Sequence, residues 1–122
     1  MKYTAVDALS ILRPDAEWTA LGDVYSGIEW LDSGQTKPTE TEINNKISEL
    51  DAAEPMRLLR EERFRLLSEC DWTQGADVPN SIKTAWQTYR QELRDLPATA
   101  SPSLDSNYDL DLTSVTWPSK PS

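Results

Sequence analysis

The chain has 122 residues, of which 38% are hydrophobic and 27% charged, and a net charge of −9. That length suits one small domain or two minimal ones, and the low apolar fraction argues against a single large core. No basic surface stands out to displace counterions from a phosphate backbone, so no nucleic-acid partner is expected.

The acidity is uneven. Residues 1–55 hold eleven acids and four bases, residues 56–97 seven of each, and residues 98–122 three acids and one base. Within the balanced stretch, Arg57, Arg60, Arg63 and Arg65 alternate with Glu61, Glu62 and Glu69. This reads as a mixed, solvated helix face, with an acidic partner as the sharper alternative. There is no histidine, which removes Cys-His and Ser-His catalysis and most transition-metal sites. The single Cys70 excludes an internal disulfide framework and falls at helical spacing from Leu66, as a half-buried structural thiol would. No signal peptide and no apolar run of membrane-spanning length is present, so a cytosolic product with no membrane partner is expected.

In chain order, Val6, Leu9 and Leu12 recur at helical spacing behind Thr4, a candidate N-cap, and ahead of Pro14, a stop signal. Two β-rich runs, residues 16–21 and 24–31, flank Gly22-Asp23 and predict a hairpin with a type II′-like turn. Trp18, Val24, Ile28 and Trp30 would share its apolar face. Such a two-stranded hairpin needs cover from the first helix or another chain. Residues 32–38 form a polar link.

Thr39-Glu40-Thr41-Glu42 fits a capping box, and Ile43, Ile47 and Leu50 give the helix behind it an apolar stripe. Pro55 leaves two alternatives. A fresh helix starts at Asp51, or one long helix runs from residue 40 to about 69 and kinks. A break or kink is preferred to a straight rod. Met56, Leu59, Leu66 and Cys70 continue the stripe. After a short loop, Asn80 or Ser81 is a candidate cap for a last helix with Ile82, Trp86, Tyr89, Leu93 and Leu96 on one side and Pro97 at its end. The short loop makes the two helices antiparallel. Beyond residue 97 the chain is rich in Pro, Ser, Thr and Asp, which is the composition of a flexible tail. Order there is most easily explained by a partner, as in strand addition.

The expected fold is therefore α+β, mainly α. It has an N-terminal helix and β-hairpin module (1–37), an antiparallel helical hairpin (38–97) and an extended C-terminal tail (98–122). No catalytic residue, cofactor site or metal site is expected. The spacing of Asp105, Asp109 and Asp111 is loosely that of a calcium loop, but its glycine and closing glutamate are missing. Many carboxylates could in principle serve sugar hydrolysis, yet nothing selects a pair. The candidate partner-binding residues are Trp18, Tyr25, Trp30, Trp72 and Trp117. The simpler reading of Trp18, Trp30, Trp72 and Trp86 is as core. Trp117 differs, because its tail offers no local structure to bury it.

The segment Glu61-Glu62-Arg63, Leu66 through Thr73 with its Asp71-Trp72 pair, Asp77-Val78-Pro79, and Ala85 through Pro97 resembles the phage tail assembly chaperone family. Particular to it are the arginine-rich helix ending in Asp-Trp and the second helix carrying Trp86-x-x-Tyr89-Arg90-x-x-Leu93-Arg94. More weakly, Leu12-Arg13-Pro14, Glu17-Trp18, Tyr25 through Trp30, Lys37-Pro38-Thr39 and the closing Val115 through Pro121 are similar to small cyanophage proteins. The resemblance implies a non-enzymatic helper that folds, trimerises or attaches a tail fibre or baseplate protein, which is itself trimeric. It would act in the host cytoplasm during assembly and, where retained, in the virion tail. The alternative is a permanent structural part of the fibre or baseplate with no chaperone activity.

Overall fold

The computed structural model describes residues 3–121. Its elements are α1 (Ala5–Leu12), β1 (Trp18–Ala20), β2 (Ile28–Trp30), α2 (Glu40–Glu69) and α3 (Asn80–Thr99). Short 3₁₀ turns lie at Tyr25–Gly27, Asp71–Gln74 and Leu112–Ser114. The fold is α+β and mainly helical, as expected. The chain forms two compact units that meet in sequence between Glu54 and Pro55, inside α2.

The first unit closes around Ala5, Ala8, Leu9, Ile28, Ile43 and Ile47, with Tyr3, Leu12, Trp18, Tyr25 and Trp30 packed at its margin. Thr4 starts α1 with a full capping box: its hydroxyl accepts from the Asp7 amide while the Asp7 carboxylate accepts from the Thr4 amide. Thr39 caps α2 in a similar way, accepting from the Glu42 amide at 3.1 Å. That cap orients the first two turns of α2 so that Ile43 and Ile47 face α1 and β2. The buried Glu54 accepts a hydrogen bond from the Tyr3 hydroxyl, which offsets the cost of placing a carboxyl there.

The β1–β2 pair is antiparallel, with Trp18 opposite Trp30 and Ala20 opposite Ile28. The expected two-residue Gly-Asp turn does not form. Residues 21–27 make a longer connection, closed by Leu21 N–H donating to Gly27 O at 2.9 Å and Gly27 N–H to Val24 O at 3.0 Å. Val24 is consequently exposed and does not join the apolar face. Gly22 has φ +81°, while a Cβ on Gly27 would lie 2.1 Å from the Leu21 carbonyl oxygen. Both glycines are required, for different reasons.

The second unit is built on the antiparallel pair formed by the C-terminal half of α2 and α3. Cys70, Tyr89 and Leu93 are buried with Leu66, Leu67 and Trp86 around them. Further along, Leu59, Leu96 and Val115 form a second cluster with Met56, Ala100, Leu110 and Trp117. Pro55 does not break α2, which is one helix of 30 residues. A proline costs one i→i−4 hydrogen bond and a steric clash, and here apolar packing before and after it holds the helical course. Pro97 likewise lies inside α3, two residues before its end. Neither expected cap of α3 is used: Pro79 occupies that position and contributes no side-chain bond.

The C-terminal residues are not left without cover. Leu104 and Leu110 form an antiparallel bridge. Asp111 N–H donates to Ser103 O, and Asp105 N–H to Asp109 O. Held by these turns, the segment presents Leu110, Val115 and Trp117 to Leu59 and Leu96. The expectation that nothing local could bury Trp117 is thereby corrected, because composition does not reveal that a polar tail holds three apolar groups on one side.

Gly27→Ala is expected to lower the unfolding free energy by about 1–3 kcal/mol through overpacking against backbone. Gly22→Ala, which meets open space, should cost about 1 kcal/mol through its positive φ alone. Urea denaturation of the two variants reads the difference.

Candidate partner-binding surface

The three N-terminal candidates share a neighbourhood. Trp18 and Trp30 are half-buried cross-strand partners. The Trp30 indole N–H donates to Gln35 O at 3.0 Å, and the Tyr25 hydroxyl to Pro38 O at 2.8 Å. The Lys37 ammonium lies 4.7 Å from the Tyr25 ring centroid, within cation–π range. The polar handles of Trp30 and Tyr25 are therefore spent on fastening the link between β2 and α2. Asp32 helps to hold the same link: its carboxylate accepts from the backbone amides of Glu17, Gly34 and Gln35, which lowers its pKa below the ordinary carboxylate value.

In the second unit the two hairpin tryptophans part company. Trp86 is half-buried and meets Tyr89 edge-on, with ring centroids 5.6 Å apart. Trp72 is 62% exposed, touching Trp86 at 6.4 Å on one side. The core reading of Trp72 is thus overturned. The 3₁₀ turn at Asp71–Gln74 buries Thr73 completely and turns the preceding ring outward. Arg90 fixes this turn, donating to Leu67 O at 2.8 Å and to the Asp71 carboxylate at 2.9 Å.

Sequence reasoning did not single out Phe64. It is 71% exposed on α2 and lines an open groove of about 630 Å³ with Arg57, Arg60, Glu61, Arg65 and Ser68. Their spacing places these six on the helix side away from Leu59, Leu66 and Cys70. A sign was present in the sequence: Phe64 falls out of step with the buried stripe. The arginine cluster is split by the same geometry. Arg63 turns toward α3 and donates to Arg94 O at 3.1 Å, while its Nε is buried without a partner. Arg57 and Arg65 pair with Glu61 and with Glu62 and Glu69 along the helix.

Trp117 is half-buried and donates its indole N–H to Leu112 O at 3.0 Å. Beyond it, Lys120 reaches back to Glu69 at 2.7 Å. That ammonium, helped by Arg65, holds the Glu69 carboxyl below its usual range. Among the described residues, no group of three Cys, Asp or Glu side chains is placed to hold a metal ion. Asp105 and Asp111 instead accept hydrogen bonds from nearby amides, those of Asn107 and Asp109 and that of Thr113, as turn-forming aspartates do.

The family model described as phage tail assembly chaperone protein matches residues 56–122. The chain belongs to the phage tail assembly chaperone family. No curated protein and no solved structure matches it. The chaperone match starts one residue after Pro55, where the second compact unit begins. The C-terminal half of α2 with α3, exposed Trp72, the Phe64 groove and the docked C-terminal segment therefore all lie within the chaperone region, while Trp18, Tyr25 and Trp30 lie outside it.

Leu93 is fully buried and Trp72 is not, so Leu93→Ala should cost about 2–5 kcal/mol and Trp72→Ala about 0.5 kcal/mol or less, as read by urea denaturation. Glu69 has a depressed folded-state pKa. Its contribution to stability is present above the unfolded carboxylate value and lost as pH falls through the lower folded value. An NMR titration should place the Glu69 carboxyl below an ordinary glutamate, and Lys120→Ala should move it back up.

Proposed function

We propose that this chaperone binds a phage tail fibre or baseplate protein and assists its folding, trimerisation or attachment, without catalysing a reaction. The observation that carries this reading is the coincidence of the family match with a self-contained unit that turns Phe64 and Trp72 outward. Exposed aromatic rings on a helical frame suit transient capture of apolar surface on an incomplete partner. Of the five candidate contact residues, Trp72 is the one offered directly. Trp18, Tyr25 and Trp30 would contribute through their half-exposed edges, and Trp117 once its segment is displaced. The proposed setting is the host cytoplasm during assembly of a cyanophage, on the likeness of residues 12–18 and 25–30 to cyanophage proteins. Among the described residues no helix is long and apolar enough to cross a membrane.

Expression of the cognate fibre with and without this protein tests the proposal. Soluble, trimeric fibre is expected only with co-expression, and Trp72→Ala should reduce the yield while leaving the chaperone's own melting unchanged. Fibre that is soluble and trimeric when expressed alone would overturn the chaperone role and favour a permanent structural part.

A further inference from the structure

The outward side of α2 carries an arrangement that the packing of the second unit does not use. Phe64 stands at its centre, 71% exposed. Single exposed apolar residues are common on protein surfaces and need no explanation. This one differs in its surroundings. The groove around it is lined by three guanidinium-bearing side chains, those of Arg57, Arg60 and Arg65, against one carboxylate, Glu61. Glu61 offsets Arg57, and Glu62 and Glu69 hold Arg65 from the groove's margin, so the cation left over is Arg60, in a chain whose net charge is −9.

The three arginines are not equivalent. Arg57 and Arg65 are engaged along the helix with Glu61, Glu62 and Glu69. Arg60 has no hydrogen-bond or ion-pair partner among the described residues. It precedes Phe64 by four positions, so the two side chains are neighbours on one face. The ring itself makes no stacking or cation contact among the described residues. An apolar ring and an uncommitted guanidinium thus stand side by side in an open groove.

We propose that this groove docks a short acidic segment of a phage tail protein, with an apolar side chain on Phe64 and a carboxylate on Arg60. The proposal rests on the chaperone reading and adds the chemistry of the partner. Charge complementarity selects an acid, because a guanidinium pairs with a carboxylate through parallel hydrogen bonds. From Arg57 to Ser68 the helix rises roughly 16 Å, which about five residues of extended chain would span. Elsewhere the acidic surface of the chaperone repels such a segment and so restricts it to this site. Salt screens both the attraction and the repulsion, so charge reversal is the cleaner probe.

The experiment uses the full chain and overlapping peptides spanning the tail proteins of the phage that encodes it, read by fluorescence anisotropy. Bound peptides should combine an Asp or Glu with a nearby large apolar residue. Phe64→Ala and Arg60→Glu should each weaken them by about tenfold without changing the melting temperature. An Asp→Arg change in the peptide should restore binding to Arg60→Glu. Bound peptides that are neutral or basic, or affinities unmoved by both substitutions, would overturn the inference. So would a concentration-dependent dimer abolished by Phe64→Ala, which would assign the groove to a second copy of this chain. If no peptide binds, the inference fails, and co-purification of an intact tail protein with Phe64→Ala still supports the chaperone reading. Failure of both the peptides and the intact tail proteins to bind removes that reading as well.

Discussion

The second unit depends on the apolar strip that α3 lays along α2. Tyr89, Leu93 and Leu96 face Leu59, Leu66 and Leu67 in antiparallel order, and in proteins most helical stability comes from packing of such an apolar face rather than from propensity. Other features follow from it. Arg90 reaches across the seam to Leu67 O and Asp71, and so fixes the turn that projects Trp72. Arg63 crosses in the opposite direction to Arg94 O. Leu59 and Leu96 leave an apolar end to the seam, and Val115 fills it. A seam of so few residues tolerates little loss, which is the usual condition of a small domain.

The first unit solves the same shortage of apolar area by a different route. Its aromatic residues stand at the margin of a core of alanine, leucine and isoleucine, and the Trp30 indole and Tyr25 hydroxyl tie down backbone carbonyls at Gln35 and Pro38. Tyr and Trp suit this place because one end is apolar and the other seeks a partner. The residues best placed by sequence for partner contact are thus also structural fasteners here. In the second unit, Trp72 and Phe64 are free of that duty, which separates packing from recognition within the chaperone region.

The C-terminal segment belongs with the packing. Its turns are closed by its own aspartates and serines, including the Ser114 hydroxyl accepting from the Ser103 amide. Backbone groups satisfied in this way can approach an apolar seam without a desolvation penalty. Docking then needs only the three apolar side chains and the Lys120–Glu69 pair. An exposed ion pair of that kind contributes little to stability, so the apolar contacts bear most of the attachment.

Much of the fold was legible in the sequence. The Thr4 and Thr39 caps, the stripe Ile43-Ile47 and the stripe from Trp86 to Leu96 follow local rules, and helical periodicity states which residues must be covered. The lack of histidine narrows the chemistry by composition alone. What local rules could not state is which element does the covering. Pro55 passes through α2 because both halves of the helix are packed, and Val24 leaves its strand because residues 21–27 close on their own backbone. Trp72 is exposed, Trp117 is partly covered and Arg63 is drawn inward for the same reason. Apart from Val24, whose cause is local, each outcome depends on a neighbour distant in sequence, and that neighbour's position exists only in the tertiary structure.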